Sequence, residues 1–151
     1  MNDRTNNPAL VAFRRLSAGQ PRSLGDFESG RRADFRVVTA AAALAVDAGR
    51  SHTEAQINEA LAQWLAGPGA LVATDHVALR RCLVDCRLLV RDSYGRQYLR
   101  GDGPEGWRDT LAGLAGVDLA AEAAAARFAE ATKRAARKAA WERRAAANVD
   151  D

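Results

Sequence analysis

The sequence predicts a mainly α-helical chain with a small β-hairpin, a winged-helix-like module flanked by N- and C-terminal helices. Three observations predict it. Residues 34–87 hold three apolar-periodic segments, each bounded by helix start or stop residues. Residues 88–100 hold two short β-prone runs around a turn that ends in Gly95. From Asp118 to Ala147 the chain is rich in Ala, Arg and Lys and free of Pro and Gly, so helix propensity is high throughout. The expected layout has three parts: an N-terminal arm with a short helix (1–30), the winged-helix-like domain (31–101), and a linker with an Ala/Arg-rich helical extension (102–151).

Residues 1–6 are polar and expected to lack fixed structure. Asn7-Pro8 then reads as a helix start, with Asn as N-cap and Pro at the first helical position, where its missing N–H costs nothing. Leu10, Phe13 and Leu16 give that helix an apolar side, and Gly19 stops it. The Gly-, Ser- and Pro-rich stretch 19–30 reads as a loop pinned by Leu24 and Phe27. A helix is expected over 34–48, with Gly49 as its stop and apolar residues on a broad face.

Thr53-Glu54-Ala55-Gln56 fits a capping box, in which the Thr and Gln side chains satisfy each other's exposed backbone N–H groups. Ile57, Ala60, Leu61, Trp64 and Leu65 follow at helical spacing, so 53–65 is the clearest amphipathic helix in the chain. His52 precedes the cap and reads as a staple or surface residue rather than a base. A third helix is expected over 75–87, with Leu79, Cys82, Leu83 and Cys86 in one stripe and Arg80, Arg81 and Arg87 outside it. Residues 88–91 should then pair with 96–100, Gly95 supplying the left-handed turn position. Trp107, Leu111 and Leu114 make one side of a short helix beyond the linker. In the last segment Phe128 and Trp141 fall roughly 220° apart around an ideal helix, which predicts a solvated helix or fraying tail rather than a packed one.

From Thr53-Glu54, Ile57-Asn58 and Leu61 through Asp75, Leu79-Arg80-Arg81, Leu83-Val84-Asp85, Leu88-Leu89, Arg91, Gly95, Tyr98 and Arg100, the order of motifs resembles a bacterial family of unknown function. That family's small domain occurs alone or fused to helix-turn-helix regulators of the ArsR type. The resemblance covers about residues 31–101 and implies a winged-helix-like fold in a regulatory setting. The family commonly has Gly where this chain has Arg87, and the stretch 66–74 is longer than usual between its two helices.

Charge distribution supplies the functional expectation. The net charge is only +3, but residues 80–100 carry six Arg against Asp85 and Asp92, a net of +4. Residues 127–144 carry seven Lys/Arg against Glu130 and Glu142, a net of +5. Two basic fields on a near-neutral body fit an anionic partner. Arg80, Arg81, Arg87, Arg96, Tyr98 and Arg100 are the candidate double-stranded-DNA contacts, with Arg96, Tyr98 and Arg100 alternating onto one strand face. The competing reading is ion pairing, with Arg81 to Asp85 and Arg91 to Asp92 or Asp85 holding the hairpin to the helix. A homodimer or a regulator protein is the other partner class considered, and a protein-contact module is the alternative function.

Enzyme chemistry finds no support. G-x-S-x-G, the P-loop, the dinucleotide glycine pattern and H-E-x-x-H are all absent from the sequence, so no catalytic residue and no cofactor are expected. Cys82 and Cys86 lie inside the apolar stripe with no second Cys/His cluster, so core packing is favoured over a metal site. No run approaches the roughly 18 apolar residues of a membrane span. The opening MNDRTNNPAL lacks the pattern of a signal peptide, and the cytoplasm is the expected compartment.

Overall fold

The computed structural model describes residues 6–149, so most of the expectation for residues 1–6 lies outside the described residues. Helix α1 (Pro8–Ala18) starts as its sequence dictates: the Asn7 side chain accepts the Leu10 N–H at 3.2 Å, and Leu10, Phe13 and Leu16 are buried. Residues 19–30 are more ordered than a loop. They form β1 (Arg22–Ser23) and α2 (Leu24–Ser29), with the Ser23 hydroxyl accepting the Asp26 N–H at 3.1 Å. A six-residue helix shows too little periodicity to stand out among Gly and Ser, and it is Phe27, fully covered, that fixes it to the body.

Helix α3 (Arg32–Ala43) both begins and ends earlier than the predicted 34–48. Phe35, Val37, Val38 and the run Ala40 to Ala43 are all buried, which makes this the central helix. The chain turns at 44–46 and returns as β2 (His52–Thr53). There His52 is buried and its Nε2 lies 2.9 Å from the Asp47 carbonyl oxygen, a structural role. The capping box of α4 (Glu54–Ala66) is complete: the Gln56 N–H donates to Thr53 Oγ1 at 3.2 Å and the Thr53 N–H to Gln56 Oε1 at 2.9 Å.

The connection to the next helix is built rather than slack. A 3-10 turn (Pro68–Leu71) leads into β3 (Val72–Ala73), which pairs in parallel with β1. At Gly69 a Cβ would stand 2.2 Å from the Trp64 ring, so only glycine allows the turn to lie against that indole. Helix α5 (His76–Asp85) is capped by Asp75, whose carboxylate accepts the Ala78 N–H at 2.8 Å. The strands β4 (Leu89–Arg91) and β5 (Gln97–Arg100) pair antiparallel with Val90 opposite Leu99. Gly95 takes the left-handed φ of 69° expected of it. β2 adds antiparallel to β5, giving the sheet order β2-β5-β4. The sequence predicts a mainly helical chain with a small hairpin; the structure is mainly helical and contains that hairpin, extended by β2 to a three-stranded antiparallel sheet.

The flanking segments share the core with the middle of the chain, in one hydrophobic cluster that runs from Leu10 to Ala123. Trp107 meets Phe35 edge-on at 6.3 Å, and its indole N–H donates to Thr39 Oγ1 at 2.8 Å. Each aromatic buried this way contributes about 1.5–3 kcal/mol, enough to fold the expected linker back onto α3 and lead it into α6 (Arg108–Leu114). Helix α7 (Leu119–Val149) is not uniformly solvated. Its first turns pack along α1, with Ala123 buried and Arg14 paired to Glu122 at 2.8 Å. Past Ala123 no described residue is buried.

Candidate functional site

The side chains predicted to face DNA divide into two groups. Tyr98 belongs to the interior. It is 1% exposed, and its hydroxyl donates to Glu54 Oε1 at 3.1 Å. The Arg80 guanidinium reaches the same carboxylate oxygen at 3.4 Å and also donates to Asn58 Oδ1, leaving its side chain only 14% exposed. Four side chains thus knot α4, α5 and β5 together. Arg100 is half-buried and donates to the Val46 carbonyl at 3.1 Å. The alternation that put Arg96, Tyr98 and Arg100 on one strand face holds for Tyr98 and Arg100, but that face is the covered one. Arg96 precedes β5, in the turn.

Arg81, Arg87, Arg91 and Arg96 are exposed, and among the described residues none has a carboxylate within 4.0 Å. The expected Arg81–Asp85 and Arg91–Asp92 pairs are not formed. Asp92 is engaged elsewhere: its Oδ1 accepts the Arg96 N–H at 2.8 Å. That bond and further turn N–H groups hold its carboxyl below the usual range. The Arg91 side chain lies over the turn, its guanidinium carbon 3.7 Å from where a Cβ on Gly95 would stand.

Arg87 is the unusual residue of the four. Its φ of 63° makes it the one non-glycine residue with positive φ among the described residues. Helix α5 ends there in a two-bond left-handed cap: the Arg87 N–H donates to the Val84 carbonyl at 3.0 Å and the Leu88 N–H to the Leu83 carbonyl at 2.9 Å. Glycine fits that position without steric cost. Any L side chain there costs roughly 1–2 kcal/mol.

Two features escaped the sequence reading. Val90 and Leu99 face each other on the outer side of the hairpin, 52% and 46% exposed, with Tyr94 83% exposed at its tip. Their pairing follows once the turn fixes the register, so the signal was the turn itself. The second feature is Cys86. Cys82 is buried as expected, but Cys86 is half-buried beside Arg32, Asp85 and Trp107 and not in the core. The hydrogen bond between the two thiols and burial push Cys82 well up, whereas that bond, followed by Arg32, lowers Cys86.

In α7, Arg127 turns back to the Gly67 and Pro68 carbonyls, at 3.4 Å each. Lys133, Arg134, Arg137, Lys138, Arg143 and Arg144 are exposed, as are Phe128 and Trp141. No described helix is long and apolar enough to cross a membrane.

These features define a mainly helical domain with a small antiparallel sheet and, on the segment from α5 through the hairpin, four exposed arginines without ion-pair partners among the described residues. Residues 27–100, from α2 to β5 and just under half of the chain, match the model of a family described as "Uncharacterized protein conserved in bacteria (DUF2087)". Glu54, Asn58, Arg80 and Tyr98 all lie inside that match. No curated protein and no solved structure matches the chain.

Proposed function

We propose that residues 31–101 act as a winged helix that binds double-stranded DNA, in a non-enzymatic, dimeric transcriptional regulator. The order of elements supports the fold: α3, β2, α4, α5, then the hairpin β4–β5, with β2 as third strand. In this reading α5 is the groove-facing helix and the hairpin is the wing. The connection 67–75 is longer than the 3–4-residue turn common in such motifs, yet β1 and Arg127 hold it in place. The observation that carries the reading is the set Arg81, Arg87, Arg91 and Arg96, exposed and without carboxylate partners. Phosphate oxygens are what such unpaired guanidinium groups bind well, and the cations of α7 would add sequence-independent affinity.

Fluorescence anisotropy on a mixed-sequence DNA duplex of about 20 base pairs tests this, between about 50 and 200 mM salt. Binding that weakens linearly in log salt is expected. Absence of binding throughout that range contradicts the reading.

A second reading has its own observation. Val90, Leu99 and Tyr94 form an outward apolar face on the hairpin, which suits protein contact, with another copy of the chain or a regulator. Sedimentation and duplex anisotropy of the wild type against Val90→Glu separate the two. Under the second reading the substitution dissociates the complex and the wild type shows no salt-dependent DNA binding, whereas under the first the added negative charge on the wing weakens DNA binding.

A further inference from the structure

A pocket of about 560 Å³ opens between α3, α4, the end of β5 and the connection from α6 to α7. That volume falls within the roughly 300–1,000 Å³ of small-molecule sites. Its walls are mostly apolar, with Ala41 and Leu44 from α3, and Leu114 and Leu119 from the two sides of the α6–α7 connection. Three side chains with polar atoms share those walls, Arg100, Trp64 and Gln63, and the Gln63 amide N–H donates away to Glu59 Oε1 at 3.4 Å.

Arg100 is a half-buried cation with one carbonyl partner, Val46, and among the described residues it has no carboxylate within 4.0 Å. No Asp or Glu lines the pocket. Trp64 is 5% exposed, and its indole N–H is buried without any hydrogen-bond partner. A cation at an apolar wall without a carboxylate partner favours an anionic acceptor. Arg100 keeps access to the pocket, whereas the Trp64 Nε1 is fully enclosed and Trp64 meets the pocket as an aromatic wall.

We infer that this pocket binds a small apolar monocarboxylate, its hydrocarbon part against the leucine walls and the Trp64 ring, and its carboxylate accepting from Arg100. The anion replaces the missing acceptor, and the walls supply the apolar burial that drives binding. This site is independent of the DNA reading, since none of the four exposed arginines lines it.

The test is a titration of the ¹⁵N-labelled full chain with sodium benzoate and sodium octanoate, with benzyl alcohol and acetate as controls. The readout is the Trp64 indole N–H resonance, assigned by its loss in Trp64→Phe. A saturable shift is expected with at least one of the two apolar acids, and both controls should bind at least about tenfold more weakly. Arg100→Gln should weaken the acid about tenfold while leaving any response to benzyl alcohol unchanged. Because Arg100 also holds Val46, Ala60→Phe serves as a second variant: it fills the pocket from α4 and should abolish the shift. No saturable shift with either acid up to about 10 mM would overturn the inference. An equal response to benzyl alcohol, or a shift that survives Ala60→Phe, would do the same.

Discussion

Arg87 holds a backbone conformation that glycine would adopt freely, and it does so with its side chain in solvent. No internal contact of the guanidinium offsets that cost among the described residues. Replacing it tests the cost directly. Arg87→Gly should raise stability by about 1 kcal/mol, because relief of the left-handed strain exceeds the added freedom of the unfolded glycine. In urea the midpoint should rise with an unchanged slope, and DNA affinity should fall in the same variant. Arg80 behaves in the opposite way. Its removal strands Glu54 and Asn58, so Arg80→Ala should destabilise the fold by about 1–3 kcal/mol, read from the same urea titration. Its salt dependence of DNA binding should match the wild type. Nothing in the sequence separates Arg80 from Arg81: adjacent residues on one helix differ by about 100°, and only the position of Asn58 and Glu54 on α4 decides which is absorbed.

The elements themselves were legible wherever local chemistry determines them. Asn7-Pro8, the Thr53/Gln56 box, Asp75 and Gly95 each act within a few residues, and each does in the structure what its chemistry predicts. The failures are of a different kind. The end of α3, the helix α2 and the inward side of β5 are set by what packs against them, which no local pattern contains. Helix α7 shows both behaviours in one element. Its propensity is visible in the sequence, but the packing of Ala123 against α1 is not, since alanine gives no stripe to read. A cut through the helix exploits that division. Removing residues 132–151 takes away six exposed cations and no described buried residue, so the melting midpoint should stay within about 2 °C. DNA affinity should fall by a similar factor for every duplex sequence. Removing 118–151 instead uncovers α1 and should lower the midpoint by several degrees, about 4 °C or more.

Across the whole molecule, the polar side chains knotted between α4, α5 and β5 and the exposed arginines differ in what they do for the fold. Glu54, Asn58, Arg80 and Tyr98 bind the hairpin to α4 and α5, which makes them determinants of shape. Arg81, Arg87, Arg91 and Arg96 contribute nothing comparable to the interior, and in the proposed function it is their charge that meets phosphate. The sequence places six candidate contacts in 80–100, a segment of net charge +4. Three of those six turn inward: Tyr98 and Arg100 because the helices cover their side of β5, and Arg80 because Asn58 and Glu54 of α4 engage it. The central claim is that the outward four meet phosphate. The most direct measurement is the slope of log affinity against log salt for wild type and for the variant with Arg81, Arg87, Arg91 and Arg96 all changed to Gln. With about 0.9 counterions released per phosphate contact, the variant's slope should be shallower by up to roughly 3.6, with its fold intact by circular dichroism. A variant that keeps the wild-type slope and affinity would show that these arginines do not touch DNA.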